Sequence, residues 1–184
     1  MYKDNFDQRD EINRQPQNDL NRVSFLSFYG TITMITDFII SEDAADAGCY
    51  KLITVENDLE QIVNFVIAPD TYFVNNEMVF VGDKITGYYD RNAPVPLIYP
   101  PQYRALIVVK ESSHQNVKVD YFNSDLVSSD GMLKLNIYPC TRVLLRNNQS
   151  FSRSPANRNL IVIYGPSTRS IPAQTTPYKI IIWC

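Results

Sequence analysis

Few side chains in this sequence are placed to do chemistry. Glu42, Asp43 and Asp46 crowd one loop. A calcium loop spaces six to eight oxygens along a fixed ladder and closes on a glutamate. This loop has no such ladder, so it reads as solvated and no metal is expected. His114 is the only histidine. A catalytic base needs an oriented partner, and Ser112-Ser113-His114-Gln115 supplies none. Cys49, Cys140 and Cys184 form no Cys-x-x-Cys pair, and a structural zinc site takes about four ligands. They read as free thiols, with Cys184 the candidate for cross-linking copies. No Walker loop, Rossmann fingerprint or Gly-x-Ser-x-Gly elbow occurs. Neither an enzyme nor a cofactor is expected.

Arg142, Arg146, Arg153, Arg158 and Arg169 form the second feature, interleaved with Tyr138, Phe151 and Tyr164. Arginines among aromatics on a small β-fold suit an anionic ligand or partner, a glycan or a single nucleic-acid strand. Nucleic acid is disfavoured by the rest of the chain. Residues 23–111 carry five basic and twelve acidic side chains, net −7, and would repel a polyanion. Residues 112–184 carry eight basic and three acidic, net +5. The overall charge of −3 hides this division.

The elements that position these groups are β-strands. Val, Ile, Tyr and Phe dominate the apolar set, and no window has helical periodicity. Strands are expected from Ser24 to Ile40, with Gly30 at a bend or bulge and a break of phase at Ile35. Others are expected at Tyr50–Glu56, Ile62–Ile67, Tyr72–Val74, Met78–Val81, Lys84–Tyr89 and Ala105–Val109. After a linker at Lys110–Asn116 come Val117–Phe122, the alternating Leu133, Leu135 and Ile137, then Arg142–Arg146, Leu160–Tyr164 and Tyr178–Trp183.

One stretch is echoed. Tyr88–Val109 and Ile163–Ile182 each run from an apolar strand through a Pro-punctuated crossing to a β-branched strand. Polyproline modules bind such segments, but recurrence favours a structural clasp over a barrel end. Pro94, Pro96, Pro100, Pro101 and Tyr103 form it in one copy, and Pro172, Pro177 and Tyr178 in the other. The expected fold is all-β: two tandem small barrels of oligonucleotide/oligosaccharide-binding type, at 23–111 and 112–184, behind a polar arm at 1–22. That arm has few apolar residues, and Tyr2, Phe6 and Ile12 are its candidate interface contacts. It contains no secretory signal and no run long enough to span a membrane. A cytoplasmic location follows, and the Asn148-Gln149-Ser150 sequon carries no weight.

The motifs VGDKITGYYDRNAPVPLIYPPQYRALIVV, NVKVDYFNSDLVSSDGMLKLNI and NLIVIYGPSTRSIPAQTTPYKIII resemble tandem β-module proteins of anaerobic, spore-forming Firmicutes, over residues 24–184. Some of those relatives are fused to exported wall-type modules. The resemblance supplies no catalytic or binding residues. It implies a spore-associated or mother-cell setting. Together these readings point to a non-enzymatic subunit that assembles with itself, head to tail, through acidic and basic halves. The alternative is a barrel that binds a glycan or a single strand.

Overall fold

The computed structural model describes residues 22–40 and 45–184. No helix among them is long and apolar enough to cross a membrane. The first half holds β1 (Phe25–Asp37), β2 (Lys51–Glu56), β3 (Ile62–Ile67), β4 (Tyr72–Phe73), β5 (Lys84–Asp90), β6 (Gln102–Arg104) and β7 (Ile107–Lys110). The second holds β8 (Asn116–Phe122), β9 (Leu133–Leu135), β10 (Arg142–Leu145), β11 (Arg158–Tyr164), β12 (Ala173–Thr175) and β13 (Lys179–Trp183).

The first half is a seven-stranded sheet ordered β4-β7-β5-β1-β2-β3-β6. The second divides into a four-stranded sheet, β10-β13-β11-β8, and a two-stranded one, β12-β9. Isolated bridges, Phe122 to Ser128 and Val127 to Lys134, join these two through a short middle segment. With that segment counted, the second half repeats the first in order and direction. In each half two strands lie parallel to strands three places earlier: β6 beside β3, β7 beside β4, β12 beside β9 and β13 beside β10. Each crossing between these strands also carries a cis X–Pro bond, Tyr99–Pro100 and Ile171–Pro172.

This arrangement corrects the expectation of barrels. A barrel closes by pairing its first and last strands, whereas this order starts on β4 and ends on β6 with no pairing between them. The chain winds as a β-solenoid of about three turns. The clasp reading changes with it. Pro100 and Pro101 lead into β6 and Pro172 leads into β12, both edge strands. Pro94 and Pro96 stand exposed on the crossing, beside Tyr50, Val66 and Ala68. Pro177 is buried and its carbonyl is hydrogen-bonded, Tyr103 stacks on Tyr89 at 4.0 Å, and Tyr178 lies over Gly165.

Two smaller expectations also shift. The bulge in β1 falls between Ile32 and Met34, not at Gly30 or Ile35. Gly30 is needed because the Glu56 carbonyl passes where a Cβ would stand. Met78–Val81 forms no strand. Asp83 ties that segment into a turn instead, accepting from Phe80 N at 2.8 Å while its own N–H donates to Phe80 O at 3.0 Å.

Among the described residues, three apolar cores hold the fold. Ile53, Val55, Val63, Phe65 and Ile85 fill one inside the first half, and Phe122, Leu133, Leu160, Val162 and Ile180 fill one inside the second. The third lies between the halves, where Ile107 and Val109 meet Val119, Ile161, Ile163 and Ile181. Strands β7, β11 and β13 are therefore buried on both faces. This explains their unbroken apolar runs, where β2 and β3 alternate. Burying each such isoleucine contributes about 1.5–3 kcal/mol.

Candidate binding groove at the seam

Along the edge of the third core, one row of residues crosses the second half. Tyr121 on β8, Asn159 on β11 and Trp183 on β13 are ladder neighbours. They share a face with Val119, Ile161 and Ile181, so they border the seam. Asn159 is buried, and its Nδ2 donates to Val23 O at 3.0 Å. Phe25 meets Trp183 edge-on, with ring centroids 5.7 Å apart. Arginines cap both ends of the row. Arg22 lies over Tyr121, 3.8 Å from the ring centroid, and Arg146 lies over Trp183 at 4.3 Å.

Beside Arg146 the seam opens into a groove of about 470 Å³, lined by Asp70, Leu145, Arg146, Asn147, Ile182 and Cys184. Leu145 gives it a half-buried apolar wall, whereas Ile182 is 1% exposed and packs into the inner core behind it. Asp70 contributes a carboxylate that is already satisfied. Arg104 Nη2 donates to both of its oxygens, at 2.8 and 2.7 Å. That donation holds the Asp70 carboxyl below its ordinary value, helped by the charges of Arg104 and, more weakly, Arg146. Arg146 itself makes no ion pair among the described residues. Its flat face is occupied by the indole, which leaves the N–H edge for an acceptor arriving through the groove.

On the far side of the seam, Lys179 Nζ donates to Asn75 Oδ1 at 2.7 Å. Burial, and then the neighbouring Arg142, push the Lys179 ammonium below its usual range. Asn75 has a φ of 59°, a left-handed conformation that asparagine tolerates well.

The expected arginines do not form one site. Arg146 faces the groove. Arg142 sits beside Lys179 at the start of β10. Arg158 points to the other face of β11, 5.1 Å from the Phe151 centroid. Arg153 and Arg169 are exposed on loops. Cys184 lines the groove, and all three cysteines are exposed free thiols. Tyr2, Phe6, Ile12, Glu42 and Asp43 lie outside the described residues. His114 is exposed, and among the described residues no three His, Cys, Asp or Glu side chains gather as a metal site.

Trp183, Asp70 and Arg104 are absent from the sequence-derived candidates. Composition alone could have drawn attention to Trp183, the only tryptophan. Nothing local joins Asp70 to Arg104, which stands 34 positions away. Comparison with protein-family models and with curated protein sequences gives no match.

Proposed function

We propose that the protein is a non-enzymatic structural subunit that assembles with itself, the acidic half of one copy against the basic half of the next. One observation carries the reading: among the described residues, no ion pair joins the two oppositely charged halves. Lys51–Asp37, Arg104–Asp70 and Lys110–Asp83 all lie in the first half. Lys118 pairs with Asp120 and Asp130 in the second. None of Arg142, Arg146, Arg153, Arg158 and Arg169 takes part in these pairs. The complementary charge is therefore available between copies. Different patches meeting head to tail extend into filaments unless the rotation closes a ring. Edge strands β4, β6, β10 and β12 have two to four residues each. Such short edges resist backbone pairing between chains, so side chains would make the joint.

Sedimentation velocity tests this from about 10 mM to about 1 M salt, where the Debye length falls from roughly 30 Å to roughly 3 Å. Large species at low salt that dissolve as salt rises support assembly. A monomer throughout removes it. The alternative, a glycan or single-strand binder, draws on the same unpaired arginines. Against it, Arg146 and Arg158 already cover the faces of Trp183 and Phe151, where a base or sugar would stack. A Trp183 emission change on adding an oligonucleotide or glycan, with no self-association, would favour it.

A further inference from the structure

We propose that the seam groove at Arg146 receives the Asp58-Leu59-Glu60 hairpin tip of a second copy, an inference that rests on the assembly reading above. The tip joins β2 to β3 and is built to keep its shape. Asn57 Oδ1 accepts from Leu59 N at 3.0 Å and Gln61 N at 2.9 Å. Asn57 Nδ2 donates to Gln61 Oε1 at 2.8 Å, and Glu60 N donates to Asn57 O at 3.0 Å. Glu60 closes the turn with a φ of 59°.

At its apex Leu59 is 77% exposed, between two exposed carboxylates. Turns ordinarily use Gly, Pro, Asn, Asp or Ser, so an uncovered leucine there calls for a reason. The second half uses the same turn. Asn123 Oδ1 accepts from Asp125 N at 2.9 Å and Val127 N at 3.0 Å, and Leu126 takes the φ of 58°. There the leucine sits one place later and packs on the inner core. In the first half the leucine has no such cover.

The groove is the complement of this tip. Half-buried Leu145 offers an apolar contact, while Ile182 faces the inner core and contributes only its backbone. Arg146, fixed on Trp183, presents its free N–H edge, and Asn147 lies beside it. The Asp70 carboxylate, the acidic side chain of the lining, is paired with Arg104. The tip cannot serve its own groove. The six residues of β3 separate it from the segment bearing Asp70, about 20 Å at roughly 3.3 Å per residue. The contact therefore runs between copies, and a tip and a groove at different places on one chain propagate head to tail.

The test uses two neutral variants of the full chain. Arg146→Gln disables the groove, and Asp58→Asn/Leu59→Asn/Glu60→Gln disables the tip. All four positions are exposed, and circular dichroism checks that each variant folds. Each variant alone is expected to associate at least tenfold more weakly than wild type at low salt. Mixed in equal amounts, the intact tip of one meets the intact groove of the other. They should form a one-to-one dimer that grows no further. If both variants assemble like wild type and salt still dissolves the assemblies, this pairing is overturned and the assembly reading stands. If wild type is itself monomeric at low salt, the assembly reading falls and this pairing falls with it.

Discussion

Thr71 and Thr141 make the same hydrogen bonds at corresponding places in the two halves. Thr71 Oγ1 accepts from Ala68 N at 3.0 Å and donates to Ala105 O at 2.8 Å. Thr141 Oγ1 accepts from Tyr138 N at 3.4 Å and donates to Pro177 O at 3.0 Å. Both sit in an Ile-x-Pro-x-Thr motif, Ile67–Thr71 and Ile137–Thr141. Each ties the start of a parallel strand, β4 or β10, to the segment that enters its partner, β7 or β13. The threonine thus fixes where the returning chain settles.

Replacing Thr141 with valine keeps the shape and leaves the Pro177 carbonyl and the Tyr138 N–H without a side-chain partner. Thr141 is buried, so the cost should be about 1–3 kcal/mol. Thr71 is half-buried and water can reach it, so Thr71→Val should cost less. Urea midpoints at unchanged slope measure both.

The shared core predicts that the halves unfold together. Ile161 and Ile181 are 0% and 1% exposed, at the centre of the seam. Ile161→Ala or Ile181→Ala should cost about 2–5 kcal/mol. Wild-type unfolding followed by Trp183 fluorescence and by far-ultraviolet circular dichroism should coincide. Two separated transitions would mean that the seam does not couple the halves.

Two glycines should respond differently to alanine. At Gly30 the new methyl meets the Glu56 backbone, which the β1–β2 ladder holds in place. At Gly165 it meets the end of the Tyr178 side chain, which is 54% exposed and free to swing into solvent. Gly30→Ala should lower the melting temperature sharply, and Gly165→Ala only slightly. Thermal melts of the two variants decide it.

Acid should act through Asp70. Arg104 lowers its folded pKa below the ordinary 3.8. Its contribution is therefore complete above that value and is lost as pH falls through the folded pKa. Asp83 is also lowered, chiefly by Lys110. Burial acts to raise Asp130, but hydrogen bonds from Lys118 and Ser128 outweigh it and leave it lowered. In Asp70→Asn the fall of melting temperature below pH 3.8 should be shallower than in wild type, not absent. An unchanged slope would remove Asp70 from the account.

Parts of this architecture are legible in the sequence, where local chemistry decides them. The alternation at Leu133 and Leu135 gives β9, and the echoed crossings announce the repeated strands. Strands β6 and β12, three residues each, are hidden inside those crossings. Their pairing with β3 and β9 is non-local and leaves no periodic trace. Barrel closure could not be read either, because alternation records which face is buried and says nothing of which edges meet. The Ile-x-Pro-x-Thr repeat was available but faint, since the alternate positions changed from Ala68 and Asp70 to Tyr138 and Cys140. At the groove, Arg146 could be picked out as one of the five arginines of the second half. What distinguishes it, the indole beneath and the neutralised carboxylate beside it, comes from strands distant in sequence.

In the proposed assembly, opposite charges on the two halves join copies of the chain. Light scattering at low salt tests it most directly, on wild type and on a variant with Arg142, Arg146, Arg153, Arg158 and Arg169 all changed to glutamine. Wild type should scatter as multiples of 21.2 kDa that fall to that mass as salt is added, and the variant should remain at 21.2 kDa throughout. Wild type at 21.2 kDa in low salt and high concentration would contradict it.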